Sequence, residues 1–136
     1  MAVILLPLMF FCTACNEDVS DGVVTVKLRN GNNGGGYIRM CERDICISSA
    51  NNFYSSWGDG EFVDMGTKRI SQIKSIPTQG WAPEVAVLPG HGYIFRGANS
   101  YYGRIYVVGY TESASSGGII GAEIKYKESS TPGVLD

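Results

Sequence analysis

The chain has 136 residues, with eleven Lys and Arg against thirteen Asp and Glu, a formal net charge of −2. Hydrophobic residues make up 44% and there are 18 Gly, which describes one globular, turn-rich domain with a modest core rather than a disordered chain. No basic excess is present to neutralise phosphates, so nucleic acid is not an expected partner.

Residues 1–14 carry no charged side chain, and Ala2 to Phe11 reads AVILLPLMFF. Ten apolar residues are too few to span a bilayer, which needs about 20. They suit the apolar region of a secretory signal, and Pro7 with the abrupt change to NEDVSDG argues against a core strand. Cys12-Thr13-Ala14-Cys15 resembles a bacterial lipobox, in which small residues precede the cysteine that is lipidated. Cys12 stands where that pattern has a branched apolar residue. Asn16-Glu17-Asp18 resembles an acidic tag that sends lipoproteins to the outer face of some Gram-negative cells. The expectation is a signal peptide over 1–14, lipidation of Cys15, and an acidic collar over 15–22. The alternative is a plain cleaved signal with Cys15 incidental. Both imply export, and the first gives outer-membrane attachment through acyl chains, of which two or more hold a protein stably.

From Gly22 on there are eleven basic and ten acidic residues, so the expected domain, 23–128, is close to neutral. Val24, Val26 and Leu28 alternate with Thr25, Lys27 and Arg29, as in a half-buried strand. Gly31 to Gly36, GNNGGG, lacks the Lys-Ser/Thr ending of a P-loop, the spacing of a dinucleotide fingerprint and the aspartates of a calcium-binding glycine repeat. It reads as a connection. Tyr37 to Ser48, YIRMCERDICIS, predicts a hairpin turning at Arg43-Asp44, with Ile38, Met40, Ile45 and Ile47 on one face. Cys41 then faces Cys46 in a non-hydrogen-bonded pair about 4.5 Å apart at Cα, inside the disulfide range. Arg-Asp is not favoured in a tight turn, so a four-residue loop is the alternative, with the same cysteines opposed. In an exported chain this spacing predicts a Cys41–Cys46 disulfide. One His and two available Cys cannot complete a zinc site, and C-x₄-C is not a redox motif. No metal and no cofactor is expected.

Ser49 to Gly60, SANNFYSSWGDG, reads as turn. Glu61 to Met65 reads as a short strand. Ile70, Ile73 and Ile76 have loose helical spacing, so one short helix near residues 68–75 is the alternative to extended chain. Glu84 to Leu88 and Tyr93 to Arg96 read as strands around a Pro89-Gly90 type II turn. Arg104 to Tyr110 and Ile119 to Lys127 alternate most clearly, and 129–136 reads as a flexible tail. Seven to eight short strands predict an all-β fold, a small antiparallel sandwich or barrel.

At IPTQGW, VLPGHGYIFR and RIYVVGY…SGGIIGAEIKY the chain resembles a family of small uncharacterised lipoproteins from gut-dwelling Gram-negative bacteria, over roughly residues 37 to 127. The resemblance implies export and a β-rich fold. It implies no activity.

Chemistry is sparse. His91 stands between glycines, as expected of an exposed turn rather than a catalytic base. Asp59, Glu61 and Asp64 follow Trp57, and a glycosidase needs two carboxylates with one pKa raised. WGDGEFVD does not match a calcium loop. Trp57, Tyr101 and Tyr102 lie in Gly/Ser/Asn-rich segments and are the candidate ligand-binding residues, with packing as the competing role for each. The expected function is a non-enzymatic, lipid-anchored surface module that binds a glycan or a protein. The alternatives are a small secreted hydrolase or inhibitor using the acids near Trp57, and a purely structural envelope protein.

Overall fold

The computed structural model describes residues 22–136. The expected signal peptide, Cys15 and Asn16-Glu17-Asp18 lie outside the described residues. Among the described residues, nine strands form two antiparallel sheets. The first has the order β1 (Val24–Arg29), β9 (Ile119–Glu128), β8 (Tyr102–Glu112), β7 (Gly92–Arg96), β5 (Glu61–Asp64). The second has the order β2 (Ile38–Met40), β3 (Arg43–Ile47), β4 (Asn52–Ser55), β6 (Glu84–Ala86). The sheets stay separate, so the fold is a sandwich and not a closed barrel.

Period-two patterning builds the core. Ile38, Met40, Ile45, Ile47 and Phe53 point inward from the second sheet. Leu28, Phe62, Tyr93, Phe95, Ile105, Val107, Ala122 and Ile124 meet them from the first. Aromatic rings bridge the layers. Phe53 packs edge-on to Tyr93 at 5.2 Å and parallel to Phe62 at 6.0 Å.

Two sequence expectations change. Asn52–Ser55 is a strand, although its Asn and Ser residues read as turn. Its backbone pairs with β3 and β6 and Phe53 is buried, so tertiary context overrides weak local propensity. The segment around Ile70 forms only a 3-10 turn, Ile70–Gln72. It lies on the outer face of the first sheet, where Ile70, Ile73 and Ile94 are buried. Gly92 admits this contact, because a Cβ there would meet the Lys68 carbonyl oxygen at 2.1 Å. Arg104 lies buried on the same face, donating to the Ile73 carbonyl at 3.3 Å and the Asp136 carbonyl at 2.6 Å. Residues 129–136 fold back through Ser129 N–H to Tyr102 and Gly133 N–H to Ser100.

The hairpin register also differs. β2 and β3 pair as Ile38↔Ile45, Arg39↔Asp44 and Met40↔Arg43, so the turn is Cys41-Glu42. The predicted Cys41–Cys46 disulfide is not formed. Cys41 lies in the turn, buried against the core, while Cys46 pairs across to Tyr54 and is half-exposed. The turn moved by two residues, and an even shift leaves Ile38, Met40, Ile45 and Ile47 on their predicted face, while Cys41 leaves its strand position for the turn.

Candidate functional site

The β2–β3 turn is costly by local rules. Cys41 and Glu42 both have positive φ, 56° and 60°, as in a primed turn. That turn suits Asn-Gly, and a side chain in this region costs roughly 1–2 kcal/mol per residue. Distant residues hold it. The Cys41 N–H donates to Glu128 Oε1, and the Cys41 carbonyl accepts from the Ala98 N–H at 3.0 Å. Asn99 Nδ2 donates to Glu42 Oε2 at 2.7 Å. Asn99 and Ser100 also have positive φ. Of the five described non-glycine residues with positive φ, only Asn51 lies elsewhere. Strain gathered at one end of a sandwich points toward function there.

Gly97 is where this support can be broken. A Cβ at that position would sit 2.4 Å from both the Cβ and the carbonyl oxygen of Cys41. Gly97→Ala is therefore expected to destabilise the domain by about 2–3 kcal/mol through overpacking. A urea denaturation series reads the loss. A turn at Arg43-Asp44 would leave Cys41 away from Gly97 and the variant close to wild type.

Trp57 stands beside this turn. It occupies the third position of the turn that the Gly58 N–H closes onto the Ser55 carbonyl at 3.0 Å, and it is 74% exposed. Arg43 fastens its loop to the hairpin. Nε and Nη2 donate to the two Asp59 carboxylate oxygens at 2.6 and 2.7 Å, a bidentate pair. Arg39 pairs with Asp44 across the strands at 3.1 Å. Trp57, Asp59, Arg43, Arg39 and Glu42 line an open groove of about 290 Å³.

The hydrogen-bonded Arg43 guanidinium holds the Asp59 carboxyl below its ordinary value, and Asp59 raises Arg43 in return. Glu61, the next acid, is paired with Arg96. Asp64 lies at the other end of β5, where its Oδ1 is 2.9 Å from His91 Nδ1 and also accepts the Gly66 N–H. The sequence set Asp59, Glu61 and Asp64 together. The structure divides them among three partners.

The candidate aromatics part company as well. Tyr101 is half-buried against the core and lines a second groove, of about 250 Å³, with Cys41, Glu42, Glu128, Ser129 and Ser130. Tyr102 packs on Trp81 at 6.1 Å on the outer face of the first sheet, where the Arg96 guanidinium lies 4.2 Å from the Trp81 ring centre. Tyr102 is thus half-buried in a ring contact and lines neither groove. Glu42 and Glu128 were not singled out from the sequence. No local signal marks them, because their places follow from positive φ and from a contact spanning 87 residues.

Among the described residues no group of three or more His, Cys, Asp or Glu could hold a metal ion. A scan against protein-family models and a search of curated proteins found no match for this chain.

Proposed function

We propose that the chain is a lipid-anchored cell-envelope protein that binds a glycan or protein partner, with the ligand seated against Trp57. The observation that carries this reading is the mounting of Trp57. A large aromatic surface stands in solvent on a loop that a bidentate ion pair holds against a strained turn. Rigid aromatic anchors of this kind lose little entropy when they bind. The nearby acids fit binding better than hydrolysis. A general acid needs a raised pKa, and Arg43 shifts Asp59 the other way.

Gly22, the first described residue, lies near the groove end of the sandwich. Val24 pairs with Tyr126, near the end of β9, and Gly22 adjoins the Lys127 stem. Glu128, two residues on, touches the groove turn. Cys15 precedes Gly22 by seven residues, so a lipid there would keep this end within about 25 Å of the membrane surface. A partner carried on the same cell surface is then within reach.

The test is Trp57→Ala in the full chain, with binding to intact cells and to arrayed glycans read in parallel. A loss of tenfold or more is expected, about 1.4 kcal/mol, with the melting temperature unchanged because the ring is exposed. Undiminished binding at both would sink the proposal.

A further inference from the structure

Glu42 lines both grooves, so the site does not end beneath Trp57. Resting on the reading of Trp57 as a ligand platform, we infer that the ligand is an extended, uncharged oligosaccharide lying across both grooves. One sugar ring stacks on Trp57, another lies beside Tyr101, and Glu42 stands between them.

Size is the first argument. Ligand-binding clefts span about 300–1,000 Å³, and neither groove reaches that range alone. Taken together, with Glu42 lining both, they do. Both are open troughs, which suits a polymer passing through more than an enclosed metabolite.

The lining chemistry is the second. The groove residues are aromatic, ionic or hydroxyl-bearing apart from Cys41, and no aliphatic side chain is among them. A peptide groove would present aliphatic pockets for alternate side chains. A pyranose presents an apolar C–H face to an aromatic ring and a rim of hydroxyls, each able to donate and accept. Carboxylates accept from such hydroxyls, while guanidinium and serine groups donate to them.

Charge is the third. Arg39 and Arg43 line the first groove with Glu42 and Asp59, Glu42 and Glu128 line the second, and Arg43 and Asp59 already neutralise each other. An anionic ligand would meet carboxylates, and a cationic one would meet guanidinium groups. An uncharged polyol meets neither penalty. The strained turn serves this directly, because it fixes the Glu42 backbone and Asn99 holds its carboxylate at the junction.

The test is calorimetric titration of the full chain with neutral gluco-, manno- and N-acetylgluco-oligosaccharides of one to six units. In one series affinity should rise about tenfold or more between one and four units. Trp57→Ala should abolish binding. Glu42→Gln should reduce four-unit affinity toward that of the single sugar while leaving the single sugar unchanged. Tyr101→Ala should do the same, and Glu42→Gln stands in for it if that variant fails to fold. Equal affinity at every length, a length dependence that survives Glu42→Gln, or binding of no saccharide in the series would overturn the inference. If no saccharide binds but a Trp57-dependent protein contact exists, the oligosaccharide falls and the platform stands. If Trp57→Ala alters no interaction of any kind, both fall.

Discussion

Phe53→Ala is expected to cost about 3–5 kcal/mol, the range for truncating a fully buried aromatic. Phe53 is 0% exposed and belongs to the second sheet. Its ring contacts, Tyr93 and Phe62, belong to the first, and Phe62 continues to Phe95 at 4.8 Å. The substitution therefore opens a cavity where the layers meet and removes two ring pairs, each worth about 0.5–1.5 kcal/mol beyond the buried area. Domains of this size have about 5–15 kcal/mol of net stability, so the loss is a large fraction of the whole. Phe53→Leu should recover much of it by refilling the volume. Urea denaturation of the two variants reads the difference. A cost below about 1 kcal/mol for Phe53→Ala would mean that Asn52–Ser55 is surface turn, as its composition suggests, and not a buried strand.

Alkaline pH should weaken the fold from about pH 9 upward. Cys41 is 1% exposed, and burial first, then the nearby Glu128 carboxylate, pushes its thiol from 9.0 up to about 12. The unfolded chain releases this proton near pH 9 and the folded chain holds it until near pH 12. Between those values the unfolded state binds fewer protons, so stability falls as pH rises. The contribution is fully present below pH 9, and it is lost at up to about 1.4 kcal/mol per pH unit above it. The expected loss between pH 9 and 10 is about 1 kcal/mol. Cys46 and Tyr93 are also raised by burial and act with the same sign. Cys41→Ala isolates the effect. Its stability should fall less between pH 9 and 10 than that of wild type or Cys46→Ala. A wild-type chain equally stable at pH 8 and pH 10 would contradict the burial of Cys41. A disulfide would remove the titration altogether.

The hairpin shows how much of the fold is legible in the chain itself. Alternation in YIRMCERDICIS assigns Ile38, Met40, Ile45 and Ile47 to one face, and all four are buried. That assignment survives because the side-chain period is two, so moving the turn by two residues changes partners without changing faces. The turn position is another matter. Cys-Glu is a poor local choice for two positive φ angles. Gly97, Ala98, Asn99 and Glu128 select it by filling the space and the hydrogen bonds around it.

The candidate site divides in the same way. Trp57 and Tyr101 stood out as aromatics in polar loops, and each lines a groove. Tyr102 had the same local signature and packs instead on Trp81, since its strand register turns it to the other face of the sheet. By itself the sequence determined the all-β class, the inward face of the hairpin and the main strands, because those follow from short-range periodicity and turn chemistry. The tertiary structure decided the sandwich order, the strand at Asn52–Ser55, the free state of Cys41 and Cys46, and the place of Glu42 in the lining of two grooves. Each of those depends on contacts between residues far apart in the chain, and no local pattern encodes which distant partner will arrive.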